Sequence, residues 1–184
     1  MVEISGWVAA PATARINVGV VQGNIDQSIK WSPAEQKSTV DAYLTLTASL
    51  MKPSIKTKTE TETETSPALV VWPETALPFY PLTNDHMGPL RKLVAGREMA
   101  LLTGAPWYEI IDRQNNKVQF YNSGLLLQPD GQFAGRYYKS HLVPFGEYVP
   151  LKKLLFFLAP LVEAVGDFSP GTIDRPLVWK EAKA

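Results

Sequence analysis

ALVVWPETALPF, residues 68–79, contains the junction on which the predicted fold depends. Its first five residues, Ala68 to Trp72, are all apolar, which predicts a short buried strand. Pro73 ends that strand, and Glu74 follows at once. A carboxylate in this position is either an ordinary loop residue just outside the core or a general base on a rigid support that faces a pocket.

The composition is that of one folded domain. The chain has 184 residues, of which 45% are hydrophobic and 20% are charged, as expected for a domain with a hydrophobic core. Its 18 Lys and Arg residues balance its 18 Asp and Glu residues, so no nucleic-acid partner is predicted. The absence of cysteine excludes a disulfide, a thiolate metal site and a cysteine nucleophile within these residues.

No part of the sequence predicts a transmembrane segment or a signal peptide. No stretch reaches the roughly 18 apolar residues that a spanning helix needs, and the start lacks a basic region followed by an apolar run. Residues 1–14 are interpreted as a leader or linker, and residues 15–184 as one domain. The most lipid-like segment, 150–165, is interpreted either as a core or partner-facing helix or as a helix on a membrane surface.

The first half of the domain has the pattern of a strand, a helix, a loop and a second strand. Residues 15–24 predict the first strand, which ends at a Gly-Asn pair. Ser32 and Glu35, with a proline between them, form the signature of a helix N-terminus with a capping box, and Pro53 ends that helix. Residues 54–66 are charged and low in complexity, which predicts a solvated, mobile loop.

The second half predicts a helix followed by several strands in a row. The helix is expected near residues 86–98. Residues 100–111 are interpreted as two strands separated by a break, and residues 117–128 as a strand that returns through a PDGQ turn to a hairpin partner, FAGRYYKSHLV. This order of elements predicts a mixed sheet with helices packed on it, of the α/β or α+β class.

Two charged residues in GRYYKSHLVPFGEYVP, residues 135–150, are further site candidates. Lys139 has an aromatic and apolar setting, where a lysine either stabilises a developing oxyanion or extends its ammonium to water from a strand. Glu147 lies in a stiff loop between two prolines. It either orients a neighbouring side chain or is an ordinary loop charge.

Four other polar and aromatic residues are of types that occur in functional sites. Trp31 precedes the helix cap and either packs there as a hydrophobic staple or lines a pocket. His141 lies two residues after Lys139, so the two would share one face of a strand. His86 has no ligand spacing to the other histidine, and no metal site is predicted. Ser123 lacks a nucleophile-elbow pattern and is interpreted as structural.

Five motifs occur in order along the chain, and together they resemble those of the carbon–nitrogen hydrolase (nitrilase) superfamily. They are VGVVQGNIDQSIKW, VVWPETALP, LLTGAPW, YNSGLLLQPDGQFAGRYYKSHLVPFGEYVP and FSPG. Within this superfamily, KSHLVPFGEYVP together with the upstream VQGNI and KW most resembles the apolipoprotein N-acyltransferases. The resemblance extends over roughly residues 15–171 and implies a nitrilase-like αββα sandwich of two sheets flanked by helices, here without its C-terminal elements.

The resemblance also implies roles for individual residues. The family's catalytic glutamate and lysine correspond to Glu74 and Lys139, and its additional essential glutamate corresponds to Glu147. Trp31 matches the family's tryptophan after the QGN motif, and Trp31 and His141 are the candidate substrate-binding residues. The family's nucleophilic cysteine has no counterpart in this chain. The chain is therefore expected to be inactive by itself and to expose apolar surface where the missing strands would pack.

The implied reaction transfers an acyl group from a phospholipid to the N-terminal amine of an apolipoprotein, through a thioester on the enzyme and without a cofactor. The partners would be the phospholipid, the apolipoprotein and, for the full-length protein, the bacterial inner membrane, with this domain on its periplasmic side. Two alternatives stay open: a soluble amidase of the same superfamily, and a non-catalytic module that binds lipid or lipoprotein.

Overall fold

The computed structural model describes residues 16–26, 30–51, 66–148, 167–172 and 177. This part of the chain contains five strands, two α-helices and a short 3-10 helix. The elements are β1 (Val18–Val20), the 3-10 helix (Pro33–Glu35), α1 (Gln36–Leu50), β2 (Leu69–Val71), α2 (Met87–Arg97), β3 (Ala100–Asp112), β4 (Lys117–Leu127) and β5 (Phe133–Tyr138). The predicted leader, the predicted loop 54–66 apart from its last residue, and the apolar segment 150–165 lie outside the described residues.

The strands form one mixed sheet in the order β1-β2-β3-β4-β5. The pairs β1–β2 and β2–β3 are parallel, whereas β3–β4 and β4–β5 are antiparallel. Parallel neighbours need a crossover connection, and α1 and α2 provide one for each parallel pair. The predicted α/β class is therefore confirmed.

The hydrophobic core lies between this sheet and both helices. Side chains from three strands and from α1 and α2 form one buried cluster, which includes Val40, Tyr43, Val70, Leu90, Val94, Leu101, Leu125 and Leu127. Trp72 connects the end of β2 to α1, because its ring stacks on Tyr43 with the centroids 5.0 Å apart and its indole N–H donates to Thr47 Oγ1 at 2.9 Å. This packing fixes the carboxyl end of β2 just before Glu74.

The other face of the sheet carries exposed apolar side chains at its β1 edge. Val18 and Val20, on that face, are 46% and 74% exposed. Their register partners in β2, Leu69 and Val71, are only partly buried. β1 pairs over three residues, so the strand predicted for 15–24 is shorter than expected. The β1 edge thus presents an apolar strip in the described part of the chain.

The predicted break within residues 100–111 is wrong, because β3 runs through them without interruption. β2 pairs with β3 only as far as Leu102, and a proline is tolerated where a strand has lost one neighbour. Antiparallel pairing with β4 continues past this point, with Gly104 opposite Gly124 and Pro106 opposite Asn122.

The N-terminus of α1 also differs from the prediction. A 3-10 turn precedes the helix, and Ser32 makes no side-chain cap hydrogen bond. The carboxylate of Glu35 accepts a hydrogen bond from Ser38 Oγ at 2.7 Å instead. The predicted capping box is wrong because the tight turn puts Glu35 before the helix rather than in its first turn. Within the described residues, neither α1 nor α2 has the length and hydrophobicity that a membrane-spanning helix needs.

Candidate functional site

Glu74 lies in a turn that is fastened to the neighbouring strand. Gly104 N–H donates to Pro73 O at 3.3 Å, and Leu77 N–H donates to Gly104 O at 3.0 Å. These two hydrogen bonds hold the backbone on both sides of Glu74 against β3. The carboxylate therefore has the rigid support that the sequence analysis expected of a general base.

The close approach of this turn to β3 requires glycine at position 104. A Cβ atom there would lie 2.4 Å from Thr75 N and 2.8 Å from the Cα of Glu74. The turn itself is strained, because Thr75 has a φ of 52°, in the left-handed region that β-branched residues rarely adopt. A strained backbone in a tightly packed setting is typical of functional sites.

Lys139 reaches the same place from the end of β5. Its N–H donates to Asn122 O at 2.9 Å, and its carbonyl oxygen accepts a hydrogen bond from Gly171 N–H at 3.0 Å. Its ammonium lies 2.9 Å from Glu74 Oε1, although the two residues are 65 positions apart in the sequence. The fold therefore brings together two residues that the sequence analysis identified in separate stretches.

Glu147 is a second carboxylate at the Lys139 ammonium, with its oxygens 3.1 Å and 3.0 Å from Nζ. Val143 N–H donates to Glu147 Oε2 at 2.8 Å and closes the loop between them. Burial alone would raise the pKa of Glu147, but hydrogen bonds from Val143 N–H, Asn122 and Lys139 outweigh it and hold the pKa below its ordinary value. Glu147 is thus kept ionised as a hydrogen-bond acceptor.

Asn122 completes the group, which we call the Lys139 cluster: Glu74, Asn122, Lys139 and Glu147. Asn122 Nδ2 donates to Glu74 Oε1 at 2.7 Å and also to Glu147 Oε1. A single amide therefore bridges the two carboxylates. Asn122 was not among the residues predicted from the sequence. The available signal was an asparagine in the buried half of β4, where most residues are apolar, and Asn122 itself is 7% exposed.

The two carboxylates of the Lys139 cluster differ in their access to solvent. The side chain of Glu74 is 60% exposed, whereas that of Glu147 is 12% exposed. Burial lowers the pKa of Lys139, but hydrogen bonds to Glu74 and Glu147 outweigh this and raise the pKa above its ordinary value. The arrangement offers an ammonium that stays charged at neutral pH and one carboxylate, Glu74, that a bound molecule can reach.

Ser123, next to Asn122, has a structural role. Its Oγ is buried and donates to Ala105 O at 2.6 Å on the neighbouring strand, so the structural interpretation of this serine is confirmed. Among the residues that the structure describes, no three His, Asp or Glu side chains are grouped as ligands for a metal ion.

Residues 17–173 match the family model for carbon-nitrogen hydrolases. The chain belongs to the carbon–nitrogen hydrolase family. This hydrolase-family chain is 40% identical over 161 residues to the apolipoprotein N-acyltransferase of Geobacter metallireducens, a match that covers 86% of the chain and 28% of the relative. It is 37% identical over 180 residues to the apolipoprotein N-acyltransferase of Azotobacter vinelandii, covering 94% of the chain and 30% of the relative. The chain thus spans less than a third of the length of these curated relatives.

The fold of this carbon–nitrogen hydrolase chain resembles that of a solved amidase. A variant of the amidase from Nesterenkonia sp. AN1, which carries the acetamide moiety of fluoroacetamide on its active-site cysteine, superposes with a TM-score of 0.53 at 16% identity. The match covers 92% of this chain and 53% of the amidase. At this identity the likeness bears on the fold alone, and it agrees with the predicted nitrilase-like architecture.

Trp31 and His141 are not among the hydrogen-bond partners that the structure gives to the Lys139 cluster. In the described part of this hydrolase-family chain, no hydrogen bond or ion pair joins either side chain to the cluster. Trp31 is 51% exposed, and His141 Nδ1 lies 3.0 Å from Ser140 Oγ. The shared strand face predicted for Lys139 and His141 is wrong, because β5 ends at Tyr138. The substrate-binding roles of Trp31 and His141 stay predictions.

Proposed function

We propose that this chain carries the base and the oxyanion-binding residue of an enzyme that transfers an acyl group from a phospholipid to the N-terminal amine of an apolipoprotein. The contact of 2.9 Å between Lys139 Nζ and Glu74 Oε1 carries the proposal. It puts an ammonium beside an accessible carboxylate, and these two groups can serve as the oxyanion donor and the general base of acyl transfer through a tetrahedral intermediate. The similarity to apolipoprotein N-acyltransferases supplies the substrate class.

In the first half-reaction, a cysteine thiol from outside these 184 residues attacks the ester carbonyl of the phospholipid. Glu74 accepts the thiol proton as the carbon–sulfur bond forms. Lys139 stabilises the negative oxygen of the tetrahedral intermediate, a contribution of about 3–4 kcal/mol for one such donor. The ester C–O bond then breaks, the departing lysophospholipid oxygen takes the proton from Glu74, and a thioester remains.

In the second half-reaction, the N-terminal amine of the apolipoprotein attacks the thioester. Glu74 accepts a proton from the amine as the carbon–nitrogen bond forms, and Lys139 again stabilises the oxyanion. The carbon–sulfur bond breaks, the cysteine sulfur takes the proton from Glu74, and the amide product leaves. Glu74 is thus a base in both halves and returns to its carboxylate form each time.

Glu147 and Asn122 are positioning residues in this mechanism. The lowered pKa of Glu147 keeps it ionised, and its oxygens already accept hydrogen bonds from Val143 N–H, Asn122 and Lys139. It therefore fixes Lys139 rather than moving protons. The different environments of the two carboxylates assign proton transfer to Glu74 and orientation to Glu147.

The surroundings of the cluster suit an apolar substrate. Val143 and Phe145, in the loop that leads to Glu147, are 52% and 53% exposed. These side chains offer apolar surface beside the site for an acyl chain. We place the complete protein in the bacterial inner membrane, with this domain on the periplasmic side and with the phospholipid and the apolipoprotein as its partners.

The test compares the complete protein with the 184-residue chain. Each is assayed with a labelled phospholipid and a lipopeptide that represents the apolipoprotein N-terminus, and separately with small amides. We expect the complete protein to acylate the lipopeptide and to form a thioester visible by mass spectrometry. The isolated chain should form none, because it has no cysteine. Hydrolysis of small amides without lipopeptide acylation would favour the soluble amidase, and lipid binding without either reaction would favour the binding module.

A further inference from the structure

Lys30 is buried beside the turn that carries Glu74. Its backbone N–H donates to Asp26 O at 3.1 Å, in the connection between β1 and the 3-10 helix. Since β1 and β2 are adjacent and parallel, the segments that follow them emerge at the same edge of the sheet. Lys30 and Glu74 therefore meet there, and Lys30 is 8% exposed.

The ammonium of Lys30 interacts with Glu74 in two ways. Its Nζ donates to the backbone carbonyl oxygen of Glu74 at 3.4 Å. Burial lowers the pKa of Lys30, and the nearby charge of Glu74 partly opposes that effect. A lysine in a strand or loop usually extends its charge to water, whereas this one is kept inside next to a carboxylate-bearing turn.

A buried ammonium is expensive for a fold that has no use for it. Removing such a charge from water costs free energy, and an apolar side chain of similar size would fill the same volume with less penalty. The Lys139 cluster itself already supplies an ammonium to the Glu74 carboxylate, 2.9 Å away. Lys30 differs from Lys139 because its hydrogen bond goes to the backbone of the Glu74 turn, not to the carboxylate.

We propose that Lys30 is a positioning residue for Glu74. The Lys30 ammonium holds the strained turn by binding the backbone carbonyl of Glu74, and it places a second positive charge near the Glu74 carboxylate. The role of Glu74 as the base rests on the proposed function, but the coupling between Lys30 and Glu74 does not. Lys30 is too buried to contact a substrate, so its removal alters the rate of the chemical step and leaves substrate binding unchanged.

The coupling is measured on the 184-residue chain labelled with 13C at lysine Cε, by following each lysine signal against pH. We expect Lys30 to titrate below 10.5, the ordinary value for lysine, and Glu74→Gln to lower its midpoint further because the opposing charge is removed. Asp41→Asn is the matched control, because Asp41 pairs with the exposed Lys37. This variant should leave the Lys30 midpoint unchanged. A Lys30 midpoint that is the same in the wild-type and Glu74→Gln chains would overturn the proposal.

The consequence for catalysis is measured in the complete protein with Lys30→Met and the control Lys37→Met. We expect Lys30→Met to lower kcat by about 10- to 100-fold at unchanged KM, as for a displaced catalytic group. Lys37→Met should change neither kcat nor KM. An unchanged kcat, or a change in KM alone, contradicts the positioning role. A wild-type protein without acyl transfer would count against the proposed function, and the lysine titration, which needs neither activity nor the Lys30→Met variant, then decides on Lys30.

Discussion

Glu74 meets Lys139 on one face of the β4–β5 ladder, and Glu109 meets Arg136 on the other. Arg136 lies opposite Leu125 on the face that forms the core, and Lys139, three residues later, lies on the opposite face. The first contact measures 2.9 Å and the second 3.6 Å. Two carboxylate–cation contacts thus use residues from the same short stretch of chain.

The contact at Glu109 is made within the regular sheet, by side chains of β3 and β5 on its core face. Tyr138 OH donates to Glu109 Oε1, and the Arg136 guanidinium lies 4.8 Å over the ring of Trp107. Glu109 belongs to β3, and Arg136 and Tyr138 belong to β5, which lies two strands away, so their long side chains meet across β4. We call Glu109, Arg136 and Tyr138 the Glu109 cluster.

The Lys139 cluster needs much more from the fold. It combines a turn after β2, an asparagine inside β4, the residue after β5 and a loop residue, Glu147. A glycine at position 104 and a strained Thr75 hold the turn in place. The comparison teaches that a carboxylate–cation contact alone does not mark a site, whereas convergence of distant segments around one reachable carboxylate does.

The largest effect is expected from removing the proposed base. Glu74→Gln in the complete protein should lower kcat/KM for lipopeptide acylation by about 10²–10⁴-fold, because an amide cannot accept the proton. The matched control is Glu109→Gln, the same change in the Glu109 cluster, which should leave the rate unchanged. Equal losses in both variants would break the distinction between the two clusters.

The next effect is expected from removing the cation. Lys139→Met should lower kcat by about 10²–10³-fold, because the oxyanion loses its donor and two carboxylates lose their shared partner. Arg136→Met, in the Glu109 cluster, should change thermal stability without changing kcat. Steady-state kinetics and thermal melts of both variants separate the two roles, and a Lys139→Met enzyme with wild-type kcat would refute the oxyanion role.

A glycine pair tests the support of the Glu74 turn without touching a charged residue. Gly104→Ala should destabilise the protein by about 1–3 kcal/mol, since the new methyl group meets the backbone of Thr75 and Glu74. Gly124, its register partner in β4, has only a Tyr137 side-chain atom at 4.0 Å from an added Cβ, so Gly124→Ala should be tolerated. Denaturant unfolding measures both, and equal stability of the two variants would contradict the required close approach.

The sequence predicted most of the element order and the three charged members of the Lys139 cluster. The local patterns made Glu74, Lys139 and Glu147 candidates beside an ordinary structural interpretation, and the family resemblance selected them as site residues. Local patterns of this kind remain informative because strand ends and prolines constrain the backbone independently of tertiary contacts. The catalytic roles of these residues stay predictions.

The sequence did not predict residues whose role depends on tertiary contacts. Asn122 carries no local pattern that shows it bridging two carboxylates, and Lys30 would ordinarily extend to water beside Trp31. The break predicted in residues 100–111 failed for the same reason. Gly104 and Pro106 would interrupt a strand that is paired on both sides. Only the assembled sheet shows that β2 no longer pairs with β3 beyond Leu102, so that β3 tolerates both residues.

The smallest effect is expected in the pH dependence of the free energy of unfolding. It differs between the Lys139 cluster and the Glu109 cluster, so stability measurements alone can distinguish them. The pKa of Glu147 in the folded protein lies below its ordinary 4.5, so its contribution to the free energy of unfolding is present above pH 4.5 and is lost as the pH falls through the folded value. Glu147→Gln should therefore destabilise the protein at neutral pH, and the difference from wild type should shrink as the pH falls below 4.5. Urea unfolding across this range measures it.

Tyr138→Phe provides the contrast from the Glu109 cluster. Burial and the hydrogen bond to Glu109 raise the pKa of Tyr138, so its contribution is present below the ordinary tyrosine value and is lost only at alkaline pH. The difference in stability between Tyr138→Phe and wild type should stay constant over the acid range in which the Glu147→Gln difference shrinks. A Glu147→Gln difference that is also constant would show that the Lys139 cluster does not hold this carboxylate in its ionised form.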